Sequence, residues 1–126
     1  MNCKCNCNEN VDQNVIMFVR GTSVNIKFTF NVDVSAYDSA QFTIRKDYQN
    51  LPVINKTITD FSEDIIILML EPEETDLLND FINGQSFSQY IWGLNLIKDG
   101  QITNVFPQTG SPAPICIVQK NVVENQ

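Results

Sequence analysis

Apolar and polar residues alternate along most of this chain, and the alternation has the period of a strand. The longest run is 88–106, SQYIWGLNLIKDGQITNVF, in which Tyr90, Trp92, Leu94 and Leu96 fall on every second position. Alternate side chains of a strand point to opposite faces, so these four share one face. Lys98-Asp99-Gly100 interrupts the run, and Gln101–Phe106 resumes it. Asp-Gly between two such runs predicts a tight hairpin, because glycine accepts the positive φ the turn needs. The only tryptophan stands inside this hairpin, so the core is expected around Trp92, Tyr90 and Leu94.

The same reading extends to the rest of the chain. Val24, Ile26, Phe28 and Phe30 alternate with Asn25, Lys27, Thr29 and Asn31, predicting a half-buried strand with Phe28 inside. Ala40, Phe42 and Ile44 alternate with Gln41, Thr43 and Arg45, which puts Phe42 inside as well. Val15–Val19 is a short apolar run, and Val53–Thr59 is a weaker strand with Pro52 at its mouth, suited to a sheet edge. Ile65–Leu70 (IIILML) is continuously apolar, which predicts a strand covered on both faces with Ile67 in the core. Pro72 with Glu71, Glu73 and Glu74 suits a helix N-terminus, and Leu77, Leu78 and Phe81 add an apolar stripe. The expectation is a helix over about 72–81, ended near Asn83-Gly84. A last strand begins at Ile115 and reaches Val118, or as far as Val123.

Seven or eight short strands, frequent turns and one helical crossover predict an all-β protein. The expected form is an antiparallel β-sandwich, Ig-like in arrangement. Residues 15–123 form its single domain, residues 1–14 a polar arm and residues 124–126 a frayed end. At 126 residues the chain is long enough for one real core.

Composition narrows the function mainly by exclusion. The net charge of −7 disfavours nucleic acid and anionic membrane surfaces, both of which call for clustered Lys and Arg. No apolar run approaches the roughly 20 residues of a membrane span, and no apolar signal segment follows Met1. The chain has no histidine, so the usual general base of nucleophilic triads is missing, and an enzyme is not expected. The acids at Glu63-Asp64 and Glu71–Asp76 could pair as catalytic carboxylates, but their place at a helix start favours capping and solvation. No phosphate cradle or calcium loop is written in the sequence, and no cofactor is expected. Cys3, Cys5 and Cys7 would share one face of an extended arm. With Cys116 they could form a soft-metal site, although Cys-x-Cys spacing is a weak zinc signal. Inter-subunit disulfides and a passive arm are the other readings.

Four stretches together resemble the small β-sandwich domain at the N-terminus of phage baseplate upper proteins, which also occurs as short stand-alone virion proteins. They are Arg20-Gly21-Thr22 before Val24–Phe30, the strand Ala40–Lys46, Ile65–Leu70 running into Glu71-Pro72-Glu73-Glu74-Thr75, and Tyr90–Leu96 with Asp99-Gly100. They span roughly residues 20–120. The resemblance implies no catalytic residues. It implies a structural component of a phage tail, baseplate or capsid surface, assembled in the host bacterial cytoplasm. Its partners would be other phage structural proteins, and it would be oligomeric in the particle. The chain ends soon after the sandwich, so no fibre domain is expected to follow, and the Cys-rich arm is not associated with the family. The arm residues Cys3, Cys5, Cys7 and Val11 are the expected contacts with a neighbour. The alternative is a small carbohydrate- or cell-surface-binding module, with Trp92 and Tyr90 as its exposed platform and asparagines as sugar contacts.

Overall fold

A computed structural model describes the backbone of residues 3–6 and 15–123, and side chains within 15–123. Ten strands and one helical turn follow in chain order among the described residues. They are β1 (Cys3–Asn6), β2 (Ile16–Val19), β3 (Val24–Phe30), β4 (Ser39–Arg45), β5 (Ile54–Ile58), β6 (Phe61–Ser62), β7 (Ile65–Leu70), α1 (Pro72–Thr75), β8 (Phe87–Lys98), β9 (Gln101–Phe106) and β10 (Ile115–Gln119). The smaller sheet has the order β1-β3-β7-β6. The larger has the order β2-β10-β8-β4-β5, with β9 joined to the far half of β8. The protein is all-β, and its two sheets pack as a sandwich.

The core lies where the alternation predicts. Tyr90, Trp92, Leu94 and Leu96 are all buried from β8, Ile26, Phe28 and Phe30 from β3, and Ala40, Phe42 and Ile44 from β4. Trp92 is the hub of an aromatic cluster joining the sheets. Its ring lies 4.8 Å from Phe106 and 5.8 Å from both Phe28 and Phe42, centroid to centroid. The rings are tilted, as edge-positive, face-negative quadrupoles prefer. The indole N–H donates to the Ile115 carbonyl at 3.2 Å, so its one polar atom is satisfied inside. Asp99 and Gly100 turn the β8–β9 hairpin with φ of 52° and 78°, the left-handed pair that a two-residue turn demands. β5 is an edge strand, as its weak pattern suggests.

Several expectations are corrected. Ile67 is not core: it is 51% exposed and Met69 is 56% exposed. Only Ile66, Leu68 and Leu70 of the run face inward, because a two-layer sandwich leaves one face of each sheet uncovered. The helix stops at Thr75 rather than Phe81. Thr75 is buried, its hydroxyl donating to the carbonyls of Thr22 and Pro72, and Arg20 donates from Nε to the Asp76 carbonyl at 3.0 Å. Those bonds take over the end of the helix. Beyond it Leu78 is buried, Phe81 half-buried and Leu77 exposed.

The arm is not without structure, since Cys3–Asn6 extends the smaller sheet on β3. Nor is the sandwich wholly antiparallel, because β10 pairs with β2 in parallel. The strand count exceeds the seven or eight expected. β1 and the two-residue β6 are too short to show as periodic runs. The last strand ends at Gln119.

Candidate interaction surfaces

Two outward surfaces stand out, one on each sheet. On the smaller sheet, β7 carries Ile65, Ile67 and Met69 outward, set opposite Thr29, Lys27 and Asn25 of β3 in register. Isolated exposed apolar residues are ordinary, but a stripe of them along one strand is not. β6 pairs only with Ile65 and Ile66, so on that side Ile67–Leu70 has no strand partner among the described residues. An apolar ridge thus runs beside an open strand edge, the combination that edge-to-edge pairing exploits.

On the larger sheet, polar outward positions meet in the middle of β4 and β8, Gln41 and Thr43 beside Asn95, with the outward Ile91 and Ile97 of β8 on either side of them. Register sets Asn104 of β9 against Asn95 of β8, Asn95 against Gln41 of β4, and Gln41 against Thr57 of β5. A row of amides and a hydroxyl therefore crosses four strands. The neighbouring row is Gly93, Thr43 and Asn55. Thr57 donates to Gln41 at 2.9 Å, Gln41 donates to Asn55, and Asn104 donates to the Pro107 carbonyl. Asn104, Asn95 and Gln41 of this row line a groove of about 350 Å³, together with Phe106, Pro107, Ala113 and the exposed Tyr48. Gly93 belongs to the floor. A Cβ there would meet the Phe106 carbonyl oxygen at 3.1 Å, so β9 can approach this closely because the side chain is missing.

Elsewhere the charged residues tie elements together. Lys56 of β5 meets Glu74 of α1 at 3.0 Å, and Glu74 also accepts the Glu71 N–H at 2.9 Å. Burial alone would raise the Glu74 pKa. The Glu71 N–H and the Lys56 ammonium outweigh it and hold the carboxyl below the ordinary value of 4.5. Asp33 is likewise held low, by the hydroxyl and then the backbone N–H of Ser35. Glu71–Asp76 is accordingly a turn closed by a capping box and bridged to Lys56 and Arg20.

The residues singled out in sequence fall as follows. Trp92 and Tyr90 are each 2% exposed, so neither is a surface platform. Tyr90 instead accepts the Asp80 N–H at 3.0 Å through its hydroxyl. Cys116 is fully buried in β10 between Ile16 and Tyr90 in register, in the larger sheet, whereas Cys3 and Cys5 stand opposite Phe30 and Phe28 in the smaller one. Cys7 and Val11 lie outside the described residues, so the arm contacts assigned to them do too. Among the described residues no three His, Cys, Asp or Glu side chains gather as metal ligands, and no helix is long and apolar enough to cross a membrane. Sequence reasoning missed the groove. Gln41 and Thr43 are legible as outward positions, but nothing in the sequence sets Asn95 and Asn104 beside them. Compared with known protein families, curated proteins and solved structures, the chain matches none.

Proposed function

We propose that this chain is a non-enzymatic structural component of a bacteriophage particle. It would act by docking the outer face and open edge of its smaller sheet onto neighbouring virion proteins. The observation that carries the reading is the Ile65–Ile67–Met69 ridge beside the unpartnered half of β7. A buried neighbour would remove that apolar surface from water and complete the sheet. The family resemblance supplies the setting: a particle assembled in the bacterial cytoplasm from several such proteins, with no reaction and no cofactor.

The same proposal includes an Ig-like form for the sandwich, and the strand order supports it. β1-β3-β7-β6 follows the order A-B-E-D, and β10-β8-β4-β5 follows G-F-C-C′, as in variable-type immunoglobulin domains. Tyr90 stands near the start of the strand in the F position and bonds back to upstream backbone, as a tyrosine corner does. Trp92, two residues on, and Phe28 in the B position would stand where antibody domains carry their inter-sheet disulfide. Here two rings 5.8 Å apart join the sheets instead.

Mass spectrometry of particles purified from lysed producer cells tests the virion reading. The chain is expected there in stoichiometric amount, and its absence sinks the proposal. Ile67→Lys combined with Met69→Lys should leave the fold intact while removing the chain from particles. Incorporation at the normal level would move the docking surface elsewhere.

A further inference from the structure

We propose that the groove on the outer face of the larger sheet is a binding site for a saccharide chain that carries no positive charge. The inference goes beyond the docking reading and shares no residue with it. Three observations point to this ligand chemistry.

The groove floor is a cross-strand row of neutral amides and hydroxyls, Asn104, Asn95 and Gln41 with Thr43 in the next row. Amides and hydroxyls both donate and accept, which matches the mixed donor and acceptor character of sugar hydroxyls. The side chains of Gln41 and Asn104 are held by neighbours. Those of Thr43 and Asn95 have no hydrogen-bond partner among the described residues, which leaves their polar atoms available to a ligand.

Charge is the second observation. Among the described residues no Asp or Glu lines the groove, and the one charged group that does is Arg45. A cationic ligand would find no counter-charge there, whereas a neutral or carboxylate-bearing sugar is accommodated. The Arg45 guanidinium spends one N–H on the Asn50 carbonyl at 3.1 Å and keeps others to donate.

Shape is the third. Tyr48 is 71% exposed at the rim, a flat apolar ring against which the C–H face of a sugar can stack. Gly93 leaves the floor without a Cβ at its centre. The volume of about 350 Å³ is at the lower end of the roughly 300–1,000 Å³ typical of ligand clefts. It suits a short stretch of a saccharide chain, with its ends in solvent.

The test is a nitrogen–proton NMR titration of the full chain with four probes: maltohexaose, cellohexaose, chitohexaose and hexagalacturonate, each up to about 10 mM, enough to reveal millimolar binding. At least one probe is expected to shift the Thr43, Tyr48, Asn95 and Asn104 resonances saturably. Tyr48→Ala and Asn95→Ala should each weaken that binding roughly three- to tenfold without changing Tm. Binding of hexagalacturonate alone, lost in Arg45→Gln, would make the ligand an acidic saccharide and still support the site. The proposal is overturned if no probe moves these resonances, if shifts map to another face, or if both variants bind like the parent chain. Groove resonances that move on protein dilution without sugar would make the occupant a second copy and overturn it as well. Since Ile67 and Met69 are untouched, particle incorporation of Tyr48→Ala reports on the docking reading separately.

Discussion

Trp92 shows how one residue can carry the interior without touching the surface. Its ring meets Phe28, Phe42 and Phe106, and its indole N–H is bonded to a carbonyl within the fold. Its fluorescence should therefore be blue-shifted and nearly unquenched by iodide; strong quenching would contradict the burial. Phe28→Ala removes a ring from the same cluster. It should cost about 3–5 kcal/mol in chemical denaturation, since the cavity cannot close from two sheets at once. Tyr90 carries a different burden. Its hydroxyl is the partner of the Asp80 N–H, so Tyr90→Phe should cost about 1–3 kcal/mol although the ring remains.

At the scale of elements, β7 separates apolar composition from burial. Ile66 and Leu68 face the core while Ile67 and Met69 face outward. Leu68→Ala should lose about 2–5 kcal/mol, whereas Met69→Thr should stay within about 0.5 kcal/mol. Equal losses would mean that both faces are covered in the isolated chain.

The helical turn α1 depends on charge instead. Glu74 has a depressed folded pKa, so its ionised form stabilises the fold above the ordinary value of 4.5, and that contribution is lost as pH falls through the folded value. Glu74→Gln should therefore melt below the parent chain at neutral pH, and the gap in Tm should close at acid pH. A gap that widens on acidification would contradict the Lys56 bridge.

Among the described residues the sheets are open at several edges, and the N-terminal strand β1 covers one flank of β3. β1 supplies a partner for four residues of β3. A chain lacking residues 1–6 should keep its core but exchange β3 amides faster, and should associate with rising concentration as the bared edge finds another chain. Hydrogen exchange and size-exclusion chromatography read the two effects. Unchanged exchange on β3 would argue that β1 does not protect it in solution. The net charge of −7 opposes such association through repulsion, so the effect should grow with salt.

Much of this was legible before any tertiary structure. The alternation in β3, β4 and β8 assigns Phe28, Phe42, Tyr90, Trp92 and Leu94 to the interior, because an extended backbone turns successive side chains to opposite faces. Asp99-Gly100 marks its hairpin for an equally local reason, the cost of positive φ. What local chemistry does not encode is which strand lies beside which. IIILML reads the same in a buried strand and in one with a wet face, and only the two-layer packing exposes Ile67. Cys3–Asn6 has no periodic apolar run to announce it, and it is a strand because β3 offers an edge. The groove follows the same rule. Asn95 and Asn104 already face each other across the Asp99-Gly100 hairpin, but Gln41 is far from both in sequence, and only the register between β8 and β4 makes the three one surface.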